Sequence, residues 1–158
     1  MSKAIVDLQV ASEHKHCPNV SQLGEWVDTT IALAKQVAPE SELTVRIVDE
    51  PESQALNNQY RHKNKPTNVL SFPFESPGEI ELDLLGDLVI CAAIVAEEAK
   101  AQQKKELAHW AHMVVHGTLH LHGYDHVTDK DAEVMECLEI EILQKLGFSN
   151  PYLIETSE

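Results

Sequence analysis

The order of apolar patterns along the chain constrains its fold more than any other feature of the sequence. Four segments within the first 92 residues have a strand-like pattern, at 4–10, 43–47, 69–74 and 82–92. Five segments have helical spacing, at 21–38, 49–60, 92–103, 105–121 and 129–146. Because the last three helical segments follow the last strand without another strand between them, the order is typical of an α+β domain.

No repeat, low-complexity tract or long linker divides the sequence. We therefore predict a single domain over residues 1–158, in which a small mixed β-sheet of about four strands packs against about five helices. Pro73 indicates that the 69–74 strand is short or lies at a sheet edge, because proline cannot donate a hydrogen bond to a neighbouring strand. These patterns do not predict the order of the strands in the sheet.

Composition limits where the protein acts. No apolar run reaches the roughly 18 residues that a membrane span needs, and the first residues lack the apolar core of a signal peptide. The three cysteines include no CxxC pair, which favours a reducing compartment. We expect a cytoplasmic protein without a membrane segment.

The charge of the chain limits its binding partners. It has 12 Lys and Arg against 26 Asp and Glu, a formal net charge of −14. An acidic surface repels nucleic acid, whose binding depends largely on phosphate contacts. Any contact with RNA therefore needs a local basic patch. Segment 60–66 is the candidate, since it contains Arg61, Lys63 and Lys65 without an acidic residue.

Segment 116–126, HGTLHLHGYDH, has the most informative spacing in the chain. His116 and His120 are one helical turn apart on one face, where two imidazoles can bind one ion at Zn–N distances of roughly 2.0–2.1 Å. Gly123 can adopt the positive φ that ends a helix, so that His126 returns as a third ligand. Three histidines leave one coordination position open, as in catalytic zinc sites. We predict a zinc site on this helix and the turn that follows it.

The same helix leaves an alternative metal pair open. Four histidines fall within an arc of about 80° on a helical wheel: His109, His112, His116 and His120. We expect this face to line a cleft and the opposite, apolar face to pack on the core; His122 falls on the apolar face and is excluded as a ligand. The wheel alone also allows the pair His112 and His116. Only the turn at Gly123 and the position of His126 favour the pair His116 and His120.

Metzincin proteases share this histidine spacing but place a glutamate after the first histidine as general base. This chain has Gly117 at that position. A peptidase with this sequence would therefore lack its base.

Three segments, taken together and in order, resemble the YbeY family of bacterial endoribonucleases, also described as rRNA maturation factors. They are YRHKNKPTNVLSFPFE (60–75), GDLVIC (86–91) and HGTLHLHGYDH (116–126). With VDEPES (48–53), the resemblance covers about residues 45 to 146 and leaves out the first forty. It implies a zinc-dependent endoribonuclease that prefers single-stranded RNA and acts in 16S rRNA 3′-end maturation and ribosome quality control.

The resemblance also implies functions for individual residues. His116, His120 and His126 match the family's metal ligands, and Arg61 matches its functionally important arginine. Zinc lowers the pKa of a bound water toward about 7, so hydroxide can attack phosphorus; the RNA 2′-OH is a second possible nucleophile. The guanidinium of Arg61 could hold phosphate oxygens, or it could only stabilise a helix C-terminus.

The general base does not follow from the motif. Asp125 lies beside a predicted ligand and Asp87 follows Gly86, so either carboxylate could orient a histidine or a water. Both residues are equally well explained as turn residues.

Two other functions stay open. A non-catalytic ribosome-assembly factor would use the metal mainly for stability and its acidic surface to bind basic ribosomal proteins. A metallopeptidase with the same ligand spacing is disfavoured by Gly117. The expected partners are single-stranded rRNA and ribosomal particles or assembly proteins.

Overall fold

A computed structural model of the chain describes residues 3–14, 17–34, 40–73, 84–124 and 127–152. The strands in these ranges are β1 (Lys3–Ala11), β2 (Glu40–Val48), β3 (Val69–Pro73) and β4 (Leu84–Cys91). The helices are α1 (Val20–Leu33), α2 (Glu50–Arg61), α3 (Ala92–Ala101), α4 (Glu106–Leu121) and α5 (Asp129–Lys145). The predicted α+β domain with a mixed sheet is confirmed. None of these five helices has both the length and the apolar character needed to traverse a bilayer.

The sheet has the order β1-β2-β4-β3. β1, β2 and β4 run parallel, and β3 pairs antiparallel with β4. β3 therefore lies at an edge and ends at Pro73, as the proline predicted. The carbonyl groups on the outer side of an edge strand are available to side chains from other elements.

Different helices cover the two faces of the sheet. α1 and α4 pack on one face, where Val45 and Leu88 are fully buried. α2 lies against the other face, where Leu70 and Val89 are buried next to Leu56 of α2. Since successive side chains of a strand point to opposite faces, the position of a residue in its strand decides which helix it meets.

The N-termini of α1 and α2 have different side-chain contacts. α1 begins at a capping box, in which Asn19 and Gln22 each accept a 2.9 Å hydrogen bond from the other's main-chain N–H. Asp49 precedes α2, as the sequence indicated, but its carboxylate accepts a hydrogen bond from the hydroxyl of Ser12 instead of capping the helix. This bond connects the end of β1 to the start of α2.

Candidate functional site

The C-terminal end of α4 has the predicted geometry. Gly123 has a φ of 90°, a conformation that glycine adopts without steric cost. The main-chain N–H of Tyr124 donates a 3.1 Å hydrogen bond to the carbonyl of Leu119, which closes the last turn of the helix. The prediction that the chain ends its helix at Gly123 is confirmed. Asp125 and His126 lie outside the described residues.

Gly117 sets how closely α4 approaches the sheet. A Cβ atom at this position would lie 2.7 Å from Cδ2 of Leu88 and 3.3 Å from Oγ of Ser71. Because both distances are shorter than ordinary van der Waals contacts, only glycine fits here without a shift of the Leu88 and Ser71 side chains or of the helix. A glutamate at position 117 would point into the sheet. The packing thus agrees with the conclusion that this chain lacks the general base of a metzincin.

His116 and His120 come together on successive turns of α4. Their Nε2 atoms lie 3.1 Å apart and their ring centroids 4.6 Å apart. Two nitrogen ligands at 2.0–2.1 Å from one tetrahedral zinc ion are about 3.3 Å from each other, so the pair fits a shared ion. Within the described residues no group of three or more His, Cys, Asp or Glu side chains could hold a metal. The pair therefore needs a ligand from elsewhere in the chain, and His126 lies outside those residues.

The rival pair of histidines is held apart. The ring centroids of His112 and His116 are 6.3 Å apart, against 4.6 Å for His116 and His120. The Nε2 atom of His112 donates a 2.7 Å hydrogen bond to Oε1 of Glu139, which turns it away from a metal-ligand position. His122 donates from Nδ1 to the carbonyl of Thr118 at 3.0 Å. The geometry therefore favours His116 and His120 among the histidines of α4.

Glu139 of α5 connects two of these histidines. Its side chain is fully buried, and Oε2 accepts a 2.9 Å hydrogen bond from Nδ1 of His116. Oε1 accepts from His112 and also from the hydroxyl of Tyr152, at 2.5 Å. Burial raises the pKa of Glu139, but the hydrogen bonds from His112 and His116 outweigh burial and lower it to about 2. The carboxylate is therefore ionised at neutral pH.

The histidine face of α4 is only partly open. His109 and His112 are buried, with exposures of 2% and 7%, although both contribute to the wall of a cavity of about 570 Å³. The Nε2 atom of His109 donates a 2.9 Å hydrogen bond to Glu98 of α3, which also accepts from Asn68. His116 is half-buried, like His120. The cavity therefore lies at the N-terminal half of this helix face, and the predicted ligands His116 and His120 do not line it.

Arg61 lies at the C-terminal end of α2, beside the edge strand β3. Its Nη2 atom donates a 3.0 Å hydrogen bond to the main-chain carbonyl of Ser71, and its Cζ atom lies 5.9 Å from the ring centroid of Phe72. The hydroxyl of Ser71 in turn lies 3.4 Å from the carbonyl oxygen of Gly117 in α4. Ser71 therefore contacts both Arg61 and the residue that follows His116. The exposed guanidinium can face solvent at this edge of the sheet.

Asp87 lies on the face of the sheet opposite to α4. Its neighbour Leu88 points to α4 at Gly117, and successive side chains of a strand alternate between faces. Asp87 is exposed and pairs in register with Phe72 of β3. The structure thus places Asp87 apart from the histidines of α4.

The basic segment forms a loop after α2. His62 has a left-handed conformation with a φ of 59°, and Lys63 and Lys65 are exposed. The buried amide of Asn57 donates a 2.8 Å hydrogen bond to the carbonyl of Lys65, which ties the loop to α2. The two lysines thus follow Arg61 on a loop that the body of the protein holds in place.

Glu139 was not predicted from the sequence as a site residue. Glu139 is four residues from Met135 and three from Ile142, and both of these residues are buried. A charged residue at this spacing lies on the apolar face of α5, where an unpaired carboxylate would be costly. This mismatch between charge and position is the signal that could have identified it.

Comparison with known proteins identifies the family to which the chain belongs. The sequence model of the family described as Endoribonuclease YbeY matches residues 8–147. The chain is also similar to the solution structure of TM1509 from Thermotoga maritima. The sequence identity is 28%, the TM-score is 0.57, and the match covers 96% of this chain and 97% of that one. Because the family match covers most of the chain, the chain belongs to the YbeY endoribonuclease family, and this membership implies an endoribonuclease role in rRNA processing.

Proposed function

We propose that the protein is a zinc-dependent endoribonuclease that prefers single-stranded RNA. It acts in the cytoplasm on the 3′ end of 16S rRNA and in ribosome quality control. The observation that carries the metal dependence is the 3.1 Å distance between the Nε2 atoms of His116 and His120. Membership of the YbeY family supports the choice of RNA as the substrate.

Three histidines would hold the ion. His116 and His120 offer Nε2 atoms from one face of α4, and His126 is the proposed third ligand. When bound, zinc supplies Lewis-acid polarisation of a phosphoryl oxygen and makes water more acidic. Asp125, next to His126 in sequence, is the proposed orienting group for a ligand or a water.

Arg61 is the proposed clamp for the scissile phosphate. A guanidinium has five N–H donors in a planar fork, and the bond from Nη2 to Ser71 uses one of them. That bond and the contact with Phe72 hold the side chain beside β3, so less side-chain freedom is lost when phosphate binds. Because Ser71 also contacts Gly117, β3 links the clamp on α2 to the helix that carries the histidine pair. Paired N–H donors match the negative charge that develops on phosphate oxygens during cleavage.

The loop after α2 would bind the RNA backbone. Lys63 and Lys65 are exposed on a chain whose formal net charge is −14, so they supply local attraction for phosphate against a repulsive background. The proposed path of the RNA therefore follows this loop past Arg61 toward the histidines.

The decisive test combines metal analysis with cleavage. Purified protein should contain about one zinc per chain and cleave single-stranded RNA faster than duplex RNA, and thorough chelation should stop cleavage. His120→Ala should lose both zinc and cleavage. The matched control is His122→Ala, since the His122 ring bonds to the Thr118 carbonyl; this variant should retain both. Cleavage that survives both chelation and His120→Ala would come from another nuclease and would refute the proposal.

The strongly acidic composition favours a second candidate, a metal-stabilised assembly factor without catalysis. A net charge of −14 suits binding to basic ribosomal proteins better than binding to RNA alone. This candidate predicts that zinc-loaded protein binds ribosomal particles, loses thermal stability on chelation and leaves all RNA substrates intact. Turnover by the wild type that His120→Ala removes would exclude it.

A further inference from the structure

We propose that Glu139 is a positioning residue for the metal site, which holds His116 in the tautomer with hydrogen on Nδ1 and thereby directs the Nε2 lone pair of His116 toward the ion. This inference rests on the proposed zinc site. The inference adds to that site Glu139 of α5, whose carboxylate is held by hydrogen bonds from Tyr152 and His112.

The two ring nitrogens of His116 have different neighbours. The carboxylate of Glu139 is fully buried, and its Oε2 atom lies 2.9 Å from Nδ1 of His116. The other ring nitrogen of His116, Nε2, lies 3.1 Å from Nε2 of His120. One side of the ring therefore meets a carboxylate and the other side meets the second proposed ligand.

The contact with Glu139 determines which ring nitrogen of His116 carries hydrogen. A carboxylate oxygen at 2.9 Å from a ring nitrogen accepts its hydrogen bond, so the geometry assigns the hydrogen between Glu139 and His116 to Nδ1. A neutral imidazole with hydrogen on Nδ1 has its lone pair on Nε2, which is the form that a metal ligand needs. Glu139 thus selects the ligand form of His116 before any ion binds.

Further hydrogen bonds hold the Glu139 carboxylate in place. Oε1 of Glu139 accepts from Nε2 of His112 at 2.7 Å and from the hydroxyl of Tyr152 at 2.5 Å. With both oxygens engaged, rotation of the carboxylate would break at least one of these bonds. The three donors also offset the cost of burying the carboxylate. Tyr152 lies beyond the end of α5, so the segment after that helix contributes to the support of the site.

The test uses Glu139→Gln, which has nearly the same size. An amide presents one oxygen and one NH₂ group, so it cannot accept from His116 and from His112 and Tyr152 at the same time. We expect zinc affinity to fall about 10- to 100-fold, measured by competition with a chelator. The imidazole ¹⁵N spectrum of the zinc-free wild type should show His116 with hydrogen on Nδ1, and Glu139→Gln should shift that population toward Nε2–H.

Two further variants make the test specific. Glu141→Gln removes a carboxylate from an exposed position on the same helix and should leave zinc affinity and the His116 spectrum unchanged. Tyr152→Phe removes only one of the supporting donors and should weaken zinc binding several-fold. If Glu139→Gln does not fold, the spectrum of the wild type and the affinity of Tyr152→Phe still decide the question.

Opposite results would overturn the inference in distinct ways. Wild-type His116 with hydrogen on Nε2, or wild-type zinc affinity in a folded Glu139→Gln, would show that Glu139 only fills space in the core. If His116→Ala and His120→Ala kept full zinc binding, the proposed zinc site itself would be wrong. If those two variants lost zinc and Glu139→Gln kept it, the proposed zinc site would stand and only the positioning role of Glu139 would be refuted.

Discussion

Arg61 donates a 3.0 Å hydrogen bond to the main-chain carbonyl of Ser71, on the outer side of the edge strand β3. The guanidinium is exposed and is held at that edge, while the Ser71 side chain faces α4. The relationship depends on the edge position of β3, because a carbonyl paired to another strand would not be available to a side chain. It places the proposed phosphate clamp at the edge of β3, the strand whose Ser71 side chain also contacts the helix that carries His116 and His120.

Arg61→Lys should keep the charge and lose most of the activity. A lysine ammonium lacks the planar fork of donors and is a single point charge, so we expect cleavage to fall by about 10²-fold. Single-turnover cleavage measures this loss, and zinc content should stay at the wild-type level. Lys63→Arg is the control and should change the rate little. Near wild-type cleavage by Arg61→Lys would mean that Arg61 only stabilises the end of α2.

RNA binding should depend on the exposed lysines after α2. For single-stranded RNA, each lost phosphate contact lowers the slope of log affinity against log salt by about 0.7. Lys63→Glu should therefore weaken binding and flatten the slope by about that amount, measured by titration at several salt concentrations. Lys100→Glu makes the same charge change at an exposed position of α3 and should have a smaller effect. Equal effects of the two variants would show that the loop has no special role.

Metal removal should lower the melting temperature. A ligand at a concentration 100 times its Kd stabilises the native state by about 2.7 kcal/mol, so chelation of the zinc-loaded protein should cause a loss of that order. Differential scanning calorimetry with and without chelator measures it. His120→Ala should melt at one temperature under both conditions. A chelator response of normal size in that variant would place the metal elsewhere.

Gly117→Ala should destabilise the protein despite the higher helix propensity of alanine. The added Cβ would lie 2.7 Å from Leu88, which is fully buried. Overpacking costs roughly 1–3 kcal/mol against a gain of about 1 kcal/mol in propensity, so we expect a net loss of up to about 2 kcal/mol. Urea denaturation measures the free energy of unfolding.

Gly24→Ala is the matched control for that variant. Gly24 also lies within a helix, and a Cβ there would meet nothing within 4 Å. It should stabilise the protein by up to about 1 kcal/mol. A gain in stability from both alanines would show that α4 can move away from the sheet.

Stability should depend on pH through Glu98, which joins α3 to α4. The hydrogen bond from His109 lowers the pKa of Glu98 and outweighs the opposing effect of burial, and Asn68 lowers this pKa further. Because the pKa is lower in the folded state, the stabilisation is present above the unfolded pKa, about 4.3, and is lost as the pH falls through the folded value. Glu98→Gln should cost about 1–2 kcal/mol at pH 7 and much less in acid.

The control for this pH dependence is Glu97→Gln. Glu97 is exposed on the same helix, so its loss should change stability little at any pH. Unfolding curves at neutral and acidic pH compare the two variants. The titratable groups near Glu98 include Lys104, His109 and His112. If Glu98→Gln lost the same stability at every pH, the loss would come from packing and not from the charge of Glu98.

Much of the fold could be predicted from local patterns. The four strands, the five helices and the turn at Gly123 follow from apolar periodicity and from the conformational preferences of single residues. The edge position of β3 was predicted from Pro73 because proline lacks the N–H that a central strand needs. The strand order could not be predicted, because many pairings bury the same apolar residues equally well.

The candidate site, too, could be predicted from the sequence only in part. By itself the sequence determined the spacing of His116 and His120, since four residues along a helix bring two side chains together whatever surrounds them. Only the tertiary structure decided that Glu139 faces His116, that Ser71 joins Arg61 to α4, and that Asp87 faces the opposite side of the sheet. The contacts of Arg61, Glu139 and Gly117 join residues that are 10, 23 and 46 positions apart in sequence. Periodicity acts over one or two turns of a helix, so it determines which side chains share a face; packing of the whole chain determines what that face meets.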